Sequence, residues 1–194
     1  MTVINSVGNA LTGSTGTGTF VGSASPTFTG TPILATPSAT SLTFTSTSGI
    51  IGTTTNNNAA AGSVGEEFQT IRANASALGL TTTTATIIAT FTLTAGDWDI
   101  WGNLTFNGDA TTNTTALIGW VGSAAETAID PSLSCATTFG AAGLVIYTSG
   151  REGIICPQRR VSLTGNTVYN LYAFSIFSVS TTTCCGGIYA RRRR

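Results

Sequence analysis

The stretch from Asp97 to Asn107 alternates with a period of two. Trp98, Ile100, Gly102, Leu104 and Phe106 fall on one side, with Asp97, Asp99, Trp101, Asn103, Thr105 and Asn107 on the other. That period belongs to a strand with one buried face. The preceding run, Thr82 to Leu93, sets Ala85, Ile87, Ala89, Phe91 and Leu93 against threonines, and Thr94-Ala95-Gly96 offers a turn that would make the two an antiparallel pair. Further strands are predicted at Gly65 to Ala73, Thr114 to Gly122, Gly143 to Thr148, Gln158 to Leu163, Thr167 to Ser180 and Cys184 to Arg191. Gly165-Asn166 is a hairpin signal between two of them. No window with a three-to-four residue repeat competes. The expected fold is all-β, an antiparallel jelly-roll-like β-sandwich.

Composition agrees and narrows the chemistry. The 39 threonines and 18 serines among 194 residues favour strands and turns over helices. Only 8% of the residues are charged, against about 25% in ordinary domains. The eight cations are all arginine, with no lysine and no histidine, so histidine triads, histidine metal sites, lysine Schiff bases and Gly-Lys phosphate loops have no residues to be built from. Half of the arginines, Arg191 to Arg194, sit together, which is not the spread of cations along a face that a nucleic acid requires. Threonines interrupt every apolar run, so no membrane insertion is expected. No secretion signal is visible at Met-Thr-Val-Ile-Asn-Ser6, and synthesis in the cytoplasm is the expectation. Cys135, Cys156, Cys184 and Cys185 are then expected as free thiols; their one close pair is adjacent and points to opposite faces of a strand, so no metal site is expected. No cofactor is expected either. Three Asn-x-Ser/Thr sequons, at Asn74, Asn103 and Asn113, match chance for this composition.

Residues 1–65 contain no charged side chain. Alone, this segment is too poor in large apolar residues to form a core, and a disordered linker is one reading. Its apolar residues nevertheless recur between turn signals, at Phe20-Val21, Phe28, Ile33-Leu34, Leu42, Phe44 and Ile50-Ile51. An extended shaft that buries Phe20 and Phe28 against copies of itself, or docks on other proteins, is the other reading. The polar junction Gly52 to Gly62 sets the expected boundary: an N-terminal shaft or anchor over 1–62 and a β-sandwich knob over 63–194.

Within the knob, Thr167 to Val179 is apolar on both faces, so its outer face should be covered by a neighbouring subunit. Tyr169, Tyr172, Phe174 and Ile176 are interface candidates on that ground. Trp101, an indole on a polar strand face, is an interface residue, a ligand platform or an exposed aromatic without a role. Asp97 and Asp99 share a face at glycosidase-like spacing, but the ordinary reading is a pair of solvated residues beside a turn, with an interface or Ca2+ role next. No catalytic residue is assigned. Arg191 to Arg194 should pair with a neighbour's carboxylates or be solvated.

The segment Gly13 to Pro32, the stretch Thr53 to Glu66, Leu93-Thr-Ala-Gly-Asp-Trp-Asp-Ile100 and the closing Gly187-Ile-Tyr-Ala-Arg-Arg-Arg-Arg194 together resemble tailed-bacteriophage fibre proteins of the tail-fibre or head-fibre type. The resemblance implies a homotrimeric virion component with a compact C-terminal β-sandwich, carried on a thin N-terminal segment that docks on other virion proteins. It implies contact with a bacterial surface glycan or protein through loops at the exposed end. Asn107, Asp109, Asn113, Arg159 and Arg160 are the candidates for that contact. A head or collar decoration or tail adaptor without a receptor is the alternative, and a glycan-cleaving spike a more distant one.

Overall fold

The computed structural model describes residues 54–123, 134–138, 144–146 and 150–194. The readings placed on residues 1–53, with Phe20 and Phe28, lie outside them. The strands are β1 (Glu67–Arg72), β2 (Leu78–Gly79), β3 (Thr86–Leu93), β4 (Gly96–Gly108), β5 (Thr112–Gly122), β6 (Ser134–Thr138), β7 (Leu144–Ile146), β8 (Arg151–Leu163), β9 (Thr167–Ser178) and β10 (Thr182–Arg192). A single 3-10 turn, Asn74–Ser76, follows β1.

The strands form two antiparallel sheets. The first has the order β1-β10-β4-β8, with β2 also on β10; the second has the order β3-β9-β5-β6, with β7 also on β5. Successive long strands therefore change sheets, β3 to β4 to β5 and again β8 to β9 to β10. This is the path of a jelly roll, with its two Greek keys, and the fold is the all-β sandwich expected.

Two hairpins expected from the sequence are replaced by crossings. β3 does not pair with β4; it pairs with β9, with Leu93 opposite Thr167. β8 pairs with β4, Gly96 opposite Leu163, so Gly165-Asn166 also carries the chain from one sheet to the other. Alternation reports which face of a strand is buried, and both inward faces of a sandwich look alike in that respect. At the first crossing Gly96 takes φ +134°, a conformation open to glycine, and the Trp98 indole N–H donates to the Thr94 carbonyl at 3.0 Å. These contacts turn the short link across the sandwich instead of back along its own sheet.

The alternation holds in β4, but in β3 a bulge between Ile87 and Ala89 breaks it: Ile88 takes the inward place, and Ile87, expected on the same side as Phe91 and Leu93, is exposed instead. Trp98, Ile100, Leu104 and Phe106 from β4 are buried against Leu93 of β3, Leu117 of β5, Leu171 of β9 and Ile188 of β10. Each such side chain contributes about 1.5–3 kcal/mol on burial.

Candidate functional site

The two ends of the sandwich differ in chemistry. At one end, β1 begins and β10 finishes side by side: the Gly65 N–H donates to the Arg192 carbonyl at 3.0 Å and the Arg192 N–H to the Glu66 carbonyl at 2.8 Å. Strand parity sends Arg192 inward and Arg191 outward. Arg192 Nε donates to Glu66 Oε2 at 2.8 Å with both side chains buried, and Nη1 donates to the Ala95 carbonyl at 2.8 Å. Its guanidinium lies 4.2 Å from the centre of the Trp98 ring. Asp97 is buried as well, held by Arg160 at 2.8 Å and by Arg194. The reading of Asp97 as a solvated residue is therefore corrected: the arginine tail folds over it. Arg191 faces Glu67 at 3.7 Å and Arg193 faces Asp99 at 3.5 Å, both loosely. All four terminal arginines thus face carboxylates of their own chain; Arg192 alone of the four is withdrawn from water, while Arg191, Arg193 and Arg194 stay more than half exposed, as the expectation of solvation had it.

These contacts shift the carboxyl groups. Burial works to raise Glu66, but hydrogen bonds from Arg192 and from the Gly62 N–H outweigh it and hold the group below its ordinary value. Hydrogen bonds from Arg160 and then Arg194 hold Asp97 far below the usual carboxylate range, against an opposing effect of burial. Both groups are depressed on folding, so their stabilisation is complete above the ordinary carboxylate values and is lost as pH falls below them. Thermal melts should be flat near neutrality and fall progressively below about pH 4.5. The drop should be shallower in Asp97→Asn than in the parent chain.

The opposite end is built from polar loops. Asp109 joins two of them: its carboxylate accepts from the Ala110 N–H at 2.7 Å and the Ser180 hydroxyl at 3.0 Å, and its N–H donates to the Thr181 carbonyl at 3.1 Å. Two β-branched residues here occupy the left-handed region, Thr83 at φ 60° and Val179 at φ 78°. Such residues carry backbone strain of about 1–3 kcal/mol. Val179 is also 81% exposed. Of the predicted contact residues, only Asp109 lies in a loop. Asn107 is on β4, with its amide donating to Asn74 Oδ1 at 3.0 Å, and Asn113 is on β5. Arg159 and Arg160 are on β8. Arg159 points between the sheets, 5.9 Å from the centre of the Tyr169 ring, while Arg160 holds Asp97. The placement of these four in loops is thus corrected.

The outer faces differ too. On the second sheet, Trp120 and Tyr172 stack with ring centres 5.0 Å apart and cluster with Ile118 and Phe174. Ile87, Val168 and Ile176 extend the apolar area and are partly exposed. Tyr172, Phe174 and Ile176 therefore share this face, whereas Tyr169 is 4% exposed within the main core, so its reading as an interface residue is corrected. Trp101 is on the other sheet, where it stacks on Tyr189 with centres 5.7 Å apart and an interplanar angle of 14°. Tyr189, Val179 and Thr83 were not singled out from the sequence. Tyr189 becomes visible only once β10 is known to pair with β4, which sets it opposite Trp101.

The four thiols are free, and burial raises Cys156 to about 12. Among the described residues no group of three or more metal-ligating side chains converges.

No family model matches the chain, and no curated protein matches it. Among solved structures it is similar to the VP2 subviral particle of infectious bursal disease virus, at 13% identity and TM-score 0.35, over 66% of this chain and 30% of that one. The structure of the Gx strain of the same virus gives 12% identity and TM-score 0.34, over 66% and 30%. The Gt strain gives 13% and 0.33, over 68% and 31%. The chain thus spans less than a third of those proteins. The fold assignment rests on strand order and register.

Proposed function

We propose that the chain is a virion structural protein whose sandwich forms the head of a short fibre and touches the bacterial surface. The observation that carries this reading is the unlike character of the two ends. The chain comes in beside its own last strand, where buried ion pairs fix it, and the opposite end presents loops with two strained residues. A body mounted at one end and free at the other suits a head on a stalk. The resemblance to phage fibre proteins in sequence points the same way.

Three copies meet through the outer face of the second sheet in this proposal. Ile87, Val168 and Ile176 leave an apolar area that a threefold neighbour would cover, each copy setting this patch against a second surface of the next so that the ring closes. Wild-type protein should sediment at three times the chain mass at micromolar concentration, and V168D/I176D at the mass of one chain with an unchanged circular dichroism spectrum. A monomeric wild type would remove the trimer from the proposal. Virions lacking the head but otherwise assembled should adsorb to host cells at least tenfold more slowly. Unchanged adsorption would instead favour a purely architectural decoration.

A further inference from the structure

We propose that the outer face of the first sheet holds a binding site for a neutral pyranose sugar, centred on Trp101 and Tyr189. Biologically this rests on the adhesive reading above; as binding chemistry it stands on the site alone. Trp101 and Tyr189 are cross-strand partners on β4 and β10, both partly exposed, and their rings are nearly parallel. Gly187 makes this shelf possible. A methyl group there would fall on the Tyr189 hydroxyl and ring, so the absence of a side chain lets the ring lie down along β10. An aromatic face of this kind receives the C–H side of a sugar ring.

The next row of the sheet supplies the polar half. Asp99 lies opposite Arg191, two residues along from the aromatic pair and on the same side of the sheet. A hollow of about 260 Å³ lies there, lined by Val64, Gly65, Asp99 and Arg191 to Arg193. It is below the usual range of about 300–1,000 Å³ for drug-sized ligands, which suits one ring of a longer glycan. Among the described residues, the side chains of Arg191 and Arg193 are each met by a loose contact through Nε, at 3.7 and 3.5 Å, which is beyond good hydrogen-bonding distance. Their remaining N–H groups can donate to a ligand. A row with carboxylates and guanidiniums side by side offers acceptors and donors together. Vicinal hydroxyls, each donor and acceptor, match such a row. An anionic ligand would meet Asp99 and Glu67 as like charges.

The experiment is affinity electrophoresis of the full chain through gels containing dextran, mannan, galactan or polygalacturonate. Retardation is expected with at least one neutral polymer, relieved by its methyl glycoside and unchanged from about 0.05 to 0.5 M salt, a range over which exposed charges are increasingly screened. Trp101→Ala and Asp99→Asn should each weaken it at least tenfold. Gly187→Ala places a methyl group whose nearest neighbours are the Tyr189 hydroxyl and ring, so it should tip the ring and weaken binding while leaving the melting temperature nearly unchanged. Trp101→Phe should retain part of the binding. Absence of retardation by every neutral polymer, retardation by polygalacturonate alone, or equal binding by Trp101→Ala would overturn the proposal. Binding by purified protein reports on the sugar site and adsorption on the virion role, so either can fail alone.

Discussion

Arg192→Ala should lose about 3–5 kcal/mol of stability in urea denaturation, the range for breaking a buried ion pair by removing one partner. The buried Glu66 carboxylate would lose its cation, the Ala95 carbonyl its donor, and the Trp98 ring the guanidinium above it. Glu66→Gln keeps a polar acceptor beside Arg192 and should cost less. The double variant Glu66→Leu, Arg192→Met should recover much of the loss, because the penalty comes chiefly from the stranded charge. If Arg192→Ala cost under about 1 kcal/mol, the pair would be behaving as a solvated surface contact.

Gly186→Ala should be almost as damaging, at about 3 kcal/mol, the upper part of the usual range for overpacking. An added methyl group at Gly186 would run into the backbone of β4 at the Asn103 carbonyl and Leu104 Cα. A strand backbone in mid-sheet cannot step aside as a side-chain end can. For Gly187→Ala, one residue later, the three nearest atoms all belong to the far end of the Tyr189 side chain, which can move, so the two substitutions should differ sharply in melting temperature. Similar losses at both would mean that β10 is less closely held against β4 than the register indicates.

The inward face of β4 was legible in the sequence, whereas the burial of Asp97 and Tyr169, the exposure of Ile87 and the choice of neighbouring strands were not. The alternation from Trp98 to Phe106 named the inward face of β4 correctly. The all-β class followed from hydroxyl-rich alternation and the absence of a helical repeat. Partner choice depends on where short links send the chain, and Thr94-Ala95-Gly96 and Gly165-Asn166 read equally well as hairpins or crossings. Arg159 and Arg160 fall inside the strand expected over Gln158 to Leu163, and their candidacy for contact through loops was at odds with that strand. A bulge between Ile100 and Gly102, as β4 pairs with β8, shifts the register beside them, and single-sequence periodicity does not reveal it. The burial of Arg192 was not legible because its partner lies far away in sequence: Arg192 and Glu66 are 126 residues apart. Trp101 was correctly suspected as a surface aromatic, but its partner Tyr189 required the β4–β10 pairing.

The meeting of Gly65 with Arg192 has an evolutionary consequence. Both boundaries of the sandwich lie at one point, while each sheet is woven from strands distant in the chain. A recombination break inside residues 67–192 would leave two incomplete sheets, whereas breaks just outside would carry the whole body away as a cassette. Exchange between genomes should therefore move this domain intact, with its surface chemistry changing by point substitution inside it.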